Sequence, residues 1–136
     1  METSEFITID NAKKTNEWQS AYCVIARETI DGRVVMRKSL REEYLDNGDL
    51  RDMLRKEYAL GSLLAEHTPY VVGYRRMTDD ARECSIVMDY VEGETVDVFI
   101  STHPDFFRNE SNLRKFLGQL LEGLEEIHNN QVVHMD

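Results

Sequence analysis

Three places in the 136-residue chain hold side chains whose type and setting could do chemistry: Lys38, Glu57 and the triplet His134-Met135-Asp136. Lys38 lies in the run RVVMRKSL, where Val34, Met36, Lys38 and Leu40 share one face because strand side chains alternate. Glu57 sits at the centre of an apolar helical stripe, where a carboxylate is costly unless it is paired. A Lys38–Glu57 pair would satisfy both charges and hold an ammonium at a fixed point. A fixed ammonium neutralises phosphate groups such as those of a nucleotide. Taken singly, each residue has a plainer explanation. A lone strand lysine usually snorkels to solvent, and HMD as a bare triplet specifies nothing.

These residues need elements to position them. Gln19 to Glu28 is dense in strand formers, Asp31-Gly32 is a two-residue hairpin signal, and Arg33 to Leu40 is the return strand. A helix follows, with Asp49 as its expected N-cap and Leu50, Met53, Leu54, Leu60, Gly61 and Leu64 on one stripe. Tyr70 to Met77 and Glu83 to Val91 read as a second hairpin around the polar turn TDDARE. Thr95 is placed to cap a short helix running to Ile100. Ser111 is expected to cap a long helix carrying Leu113, Phe116, Leu117, Leu120, Leu121, Leu124 and Ile127. A short apolar piece, Gln131-Val132-Val133, leads to the triplet. The order is an α+β pattern: an antiparallel sheet with one inserted helix, then two more helices.

Composition removes other classes. Sixteen basic against twenty-six acidic residues leave a net charge of −10, which repels nucleic acid and anionic membrane surfaces. Cys23 and Cys84 form no C-x-x-C pair, so neither a disulfide framework nor a zinc knuckle is expected, and a reducing, cytoplasmic compartment fits. His67 and His103 read as loop residues and His128 as a helix C-terminal residue, with no metal-ligand spacing among them. Residues 89–110 hold six acids against Arg108 alone, an ordinary solvated connector. The N-terminal METSEFITIDN has no apolar core of a signal peptide.

Taken in order, four segments resemble the N-terminal half of a eukaryotic-type, serine/threonine-type protein kinase domain. GRVVMRK resembles the family's V-A-I-K strand with Lys38 as the lysine, and RKEYALGSLL the helix that carries its glutamate, here Glu57. SIVMDYVEGET resembles the fifth strand and hinge, and LRKFLGQLLEGLEEIHNNQVVHMD a long helix running into the H-R-D loop. The resemblance spans residues 17–136. It implies a small lobe with its hinge over residues 1–91 and, over 92–136, the truncated start of the large lobe.

The same resemblance implies roles. Lys38 would hold the α- and β-phosphates of ATP and pair with Glu57. Met88 would back the adenine pocket, Met36 would lie above the ring, and the Asp89 carbonyl and Val91 amide would bond the adenine edge. Asp136 would be the catalytic base, with His134 packing beneath its loop. The departures are specific. Asn16, Trp18 and Ala21 occupy the three glycine positions of the phosphate-binding loop, and Met135 stands where the arginine of H-R-D belongs.

The implied function is ATP- and magnesium-dependent phosphoryl transfer to a protein Ser or Thr hydroxyl in a longer parent chain. The 136 residues alone are expected to be inactive and to bind nucleotide weakly, and the long helix offers a homodimer surface. Two alternatives stay open: a pseudokinase binding module, and an aminoglycoside-type small-molecule kinase.

Overall fold

The computed structural model describes residues 17–132, with the backbone alone for residues 17 and 18. Asn16, Val133, His134, Met135 and Asp136 therefore lie outside the described residues, as does the Trp18 side chain. The chain divides into two compact units, one reaching Tyr90 and one starting at Val91.

The first unit is a five-stranded antiparallel sheet with one long helix. Its strands are β1 (Glu17–Gln19), β2 (Cys23–Ile30), β3 (Arg33–Leu40), β4 (Tyr74–Asp79) and β5 (Cys84–Asp89), in the order β1-β2-β3-β5-β4. Helix α1 (Gly48–His67) enters between β3 and β4, after a single 3-10 turn at Glu42–Tyr44. The β2–β3 hairpin closes on Asp31 and Gly32, both at positive φ (50° and 76°), the pair of left-handed residues a type I′ turn requires.

Cys23, Leu40, Leu54, Cys84 and Ile86 form the buried centre, where the sheet's inner face meets α1. Alternation places Lys38 on that face between Met36 and Leu40, opposite Ile25 on one side and Ile86 on the other. The outer face carries a polar network instead. Arg37 bonds Glu28 at 3.0 Å, Glu83 at 2.9 Å and the buried Ser85 hydroxyl at 3.2 Å.

Several boundaries differ from the expectation drawn from sequence. The run from Gln19 is not one strand: it breaks at Ser20–Tyr22, because the Ser20 hydroxyl accepts from the Cys23 N–H at 3.1 Å and donates to the Cys23 carbonyl at 3.2 Å. Asn47, not Asp49, caps α1, its side chain accepting from the Leu50 N–H at 3.1 Å. Tyr70 to Gly73 precede β4 rather than belong to it. Leu60, at the edge of the α1 stripe, is 41% exposed while Leu54, Gly61 and Leu64 are buried.

The second unit holds α2 (Val96–Thr102) and α3 (Glu110–Asn129). Asn109, not Ser111, caps α3 by accepting from the Asn112 N–H. Phe99 packs edge-on against Phe106 and stacks on His103 at 4.5 Å, and Phe107 reaches Phe116 on α3 at 5.0 Å. Among the described residues no helix is long and apolar enough to cross a membrane.

Candidate functional site

Lys38 and Glu57 meet. The Lys38 ammonium donates to Glu57 Oε2 at 2.9 Å, with the two side chains 13% and 30% exposed. β3 supplies the lysine because it occupies an inward strand position. α1 supplies the glutamate because its apolar residues turn that stripe onto the sheet. The pair is therefore half-desolvated, where an ion pair exceeds a solvated surface pair but stays short of a buried one.

A third group joins them. The Tyr74 hydroxyl, at the start of β4, lies 3.4 Å from the other carboxylate oxygen, Glu57 Oε1. Burial, and then the Glu57 charge, push its phenol up to about 12, so it stays protonated and able to donate. The sequence reading missed Tyr74, since an aromatic in a strand ordinarily signals packing alone.

Met36 and Met88 stand opposite one another across β3 and β5, on the face that carries Lys38. Met88 also pairs with Tyr74 across β4. Asp89 ends β5. Its side chain takes a two-pronged bond from Arg75, at 2.7 and 2.8 Å, and its N–H donates to the Gly73 carbonyl at 2.8 Å. Val91, in the second unit, is 65% exposed. The site residues brought together in the first unit are thus Lys38 and Glu57, with Met36 and Met88 on the same face. Asp136, assigned the catalytic base on sequence, lies outside the described residues.

The inner-face arrangement is a cation held by a helical carboxylate beside an apolar pair. It can take a polyanion at the ammonium and a flat apolar group against the methionines. A protein kinase domain profile matches residues 17–136. This chain belongs to the protein kinase family. Among known relatives, it is 30% identical over 112 residues to rat NUAK family SNF1-like kinase 2, covering 82% of this chain and 17% of that protein. It is 31% identical over 120 residues to serine/threonine-protein kinases PknA of Corynebacterium glutamicum, covering 82% of this chain and 24% of that protein. Against serine/threonine-protein kinase PrkC of Bacillus subtilis it is 29% identical over 112 residues, covering 82% and 17%. The chain thus spans a quarter or less of these relatives' length. The sheet with α1 inserted after β3 is the small lobe of that domain, and α2 and α3 belong to the start of the large lobe.

The residues present fit the phosphate end of a nucleotide, because Lys38 offers an oriented ammonium on a half-buried face. Among the described residues no group of three His, Cys, Asp or Glu side chains is placed to hold a metal ion.

Proposed function

We propose that this chain is the N-terminal part of the catalytic domain of a serine/threonine protein kinase. In the whole protein it would hold ATP for transfer of the γ-phosphoryl group to a Ser or Thr hydroxyl. The observation that carries this reading is the 2.9 Å Lys38–Glu57 contact, which fixes the ammonium where phosphates can be met. Lys38 neutralises the α- and β-phosphates, Met36 and Met88 line the adenine space, and the Asp89 carbonyl and Val91 amide take the adenine edge. Asp136 orients the substrate hydroxyl and accepts its proton. Magnesium, when bound, would supply further charge neutralisation. The two cysteines, both buried and in no C-x-x-C pair, support a reducing, cytoplasmic setting.

One observation favours the second reading, a kinase-shaped binding module. The β1–β2 turn holds no glycine and is fastened through Ser20, which restricts the backbone's approach to phosphates. The full-length protein decides between them in a phosphoryl-transfer assay with radiolabelled ATP and a generic basic protein substrate. The enzyme reading expects transfer that Lys38→Met lowers by about 10²–10³-fold, the effect of deleting one charge-stabilising donor. Transfer that is absent from the wild type, or indifferent to Lys38→Met, favours the binding module. We also propose that α3 is a self-association surface of the 136-residue chain.

A further inference from the structure

Glu57 has two carboxylate oxygens and divides them. Oε2 takes the Lys38 ammonium and Oε1 faces the Tyr74 hydroxyl. Three independent features of the fold bring that hydroxyl there. The first is a register irregularity in β4. Met77 pairs with Ile86 and Arg76 with Val87, yet the next pair along is Tyr74 with Met88. An unbroken ladder would set Arg75 opposite Met88, on the inner face. The extra residue hands that place to Tyr74 and leaves Arg75 outside, bonded to Asp89. Bulges re-aim side chains in this way.

The second feature is Gly61, one helical turn beyond Glu57 on the same stripe of α1. A Cβ at Gly61 would lie 2.3 Å from Tyr74 Cε2 and 2.6 Å from Cζ, so the ring occupies the space a side chain would take. The third is the neighbouring Tyr58 ring, which meets Tyr74 edge-on with centroids 6.3 Å apart and limits its swing. The phenol, held protonated by burial and by Glu57 itself, is then a donor of fixed position.

We propose that Tyr74 is a positioning residue: its hydroxyl, seated in the Gly61 slot by the β4 bulge, orients the Glu57 carboxylate toward Lys38. The inference rests on the reading of Lys38 and Glu57 as the phosphate-contacting pair. Without the hydroxyl, Glu57 keeps its charge but loses one of two anchors, and Lys38 spends more time unpaired.

Competitive acetylation with trace acetic anhydride, read by mass spectrometry, measures how firmly Lys38 is held. Lys56 and Lys115, both exposed, serve as internal standards in the same molecule. Glu57→Gln sets the scale by removing the carboxylate charge. Tyr74→Phe keeps the ring in its slot and is expected to raise the Lys38 rate about three- to tenfold, the equilibrium weight of one net hydrogen bond. Tyr58→Phe, which removes the adjacent hydroxyl, is expected to leave the rate unchanged. Gly61→Ala, which displaces the ring while keeping the tyrosine, is expected to act like Tyr74→Phe.

A Lys38 rate that rises in Glu57→Gln but not in Tyr74→Phe overturns the positioning role and leaves the ion pair standing. A rate that rises in neither removes the pair itself, and the reading of the site with it. A parallel rise at Lys56 and Lys115 would mean general opening of the fold and would also count against the proposal. Should Gly61→Ala fail to fold, Tyr74→Phe with its Tyr58→Phe control decides alone.

Discussion

At the scale of single residues, the Lys38–Glu57 pair was legible because it breaks a pattern. An acid at the centre of an apolar helical stripe asks for a cation, and Lys38 is the lysine on a facing strand position. Tyr74 was not legible, because its role depends on a bulge, and no residue type in YRRMTD announces one. The pair has a measurable signature in stability. Lys38→Met and Glu57→Gln each strand a half-buried charge, whereas the double change leaves no charge there, only the neutral amide of Glu57→Gln near the Tyr74 hydroxyl. We expect a coupling of about 1–2 kcal/mol in chemical denaturation, above an exposed pair and below a fully buried one. Strictly additive single and double variants would show that the 2.9 Å contact carries no stability.

At the scale of elements, the type and order of strands and helices followed from periodicity, while their ends did not. Asn47 and Asp49 are both good capping residues two positions apart, as are Asn109 and Ser111. Which one caps depends on where the chain enters the helix. The break at Ser20 likewise rests on a side chain bonding its own turn, a local competition that strand propensity does not record. What aims α1 at the sheet is also a matter of ends. Arg51 and Arg55, on successive turns of α1, both grip Asp79 at the end of β4, at 2.6 and 2.5 Å. Arg51 further bonds the Asp80 and Leu45 carbonyls.

This clamp gives a pH dependence. The hydrogen bond from Arg55, ahead of that from Arg51, holds the Asp79 carboxyl below its ordinary range. A carboxyl lowered in the folded state stabilises fully above its unfolded value, near 4, and loses that stabilisation as the pH falls through the lower folded value. Asp79→Asn is therefore expected to lower the thermal midpoint at pH 7 by roughly 2–4 °C, an exposed ion pair's worth for a domain of this size. The difference from wild type should hold from pH 8 to 5 and close well below pH 4. A difference unchanged at pH 3 would show that Asp79 contributes through its shape and not its charge.

At the scale of the whole molecule, the α+β class and a family resemblance were legible from the order of elements and motifs, and the sheet order and the kinase domain match agree with both. The long helix keeps a row of leucines in contact with solvent. No residue of α3 is fully buried, and Leu113, Leu117, Leu120 and Leu121 are 38%, 45%, 50% and 63% exposed. Their spacing puts them on one face as a contiguous apolar patch, the kind of surface that often marks an interaction site. In the proposed dimer the charges beside that face would suit a second copy, with Arg114 exchanging its 2.8 Å bond to Glu110 for a partner across the interface. Arg114 and Glu125 fall on the same flank, seven and four residues from Leu121. Two antiparallel α3 helices centred near Gln119 would set Leu117 against the partner's Leu121 and Arg114 against the partner's Glu125. Parallel helices would set like charges together instead. Each leucine newly covered would contribute part of the roughly 1.5–3 kcal/mol of a full burial. Light scattering on the chain at micromolar concentration is expected to give about twice 15.9 kDa. Leu117→Glu with Leu121→Glu should return it to a monomer, and Glu125→Arg should weaken the dimer until Arg114→Glu restores it. A 15.9 kDa species with α3 fully helical by circular dichroism would refute self-association, and a dimer indifferent to Leu117 and Leu121 would place its interface elsewhere.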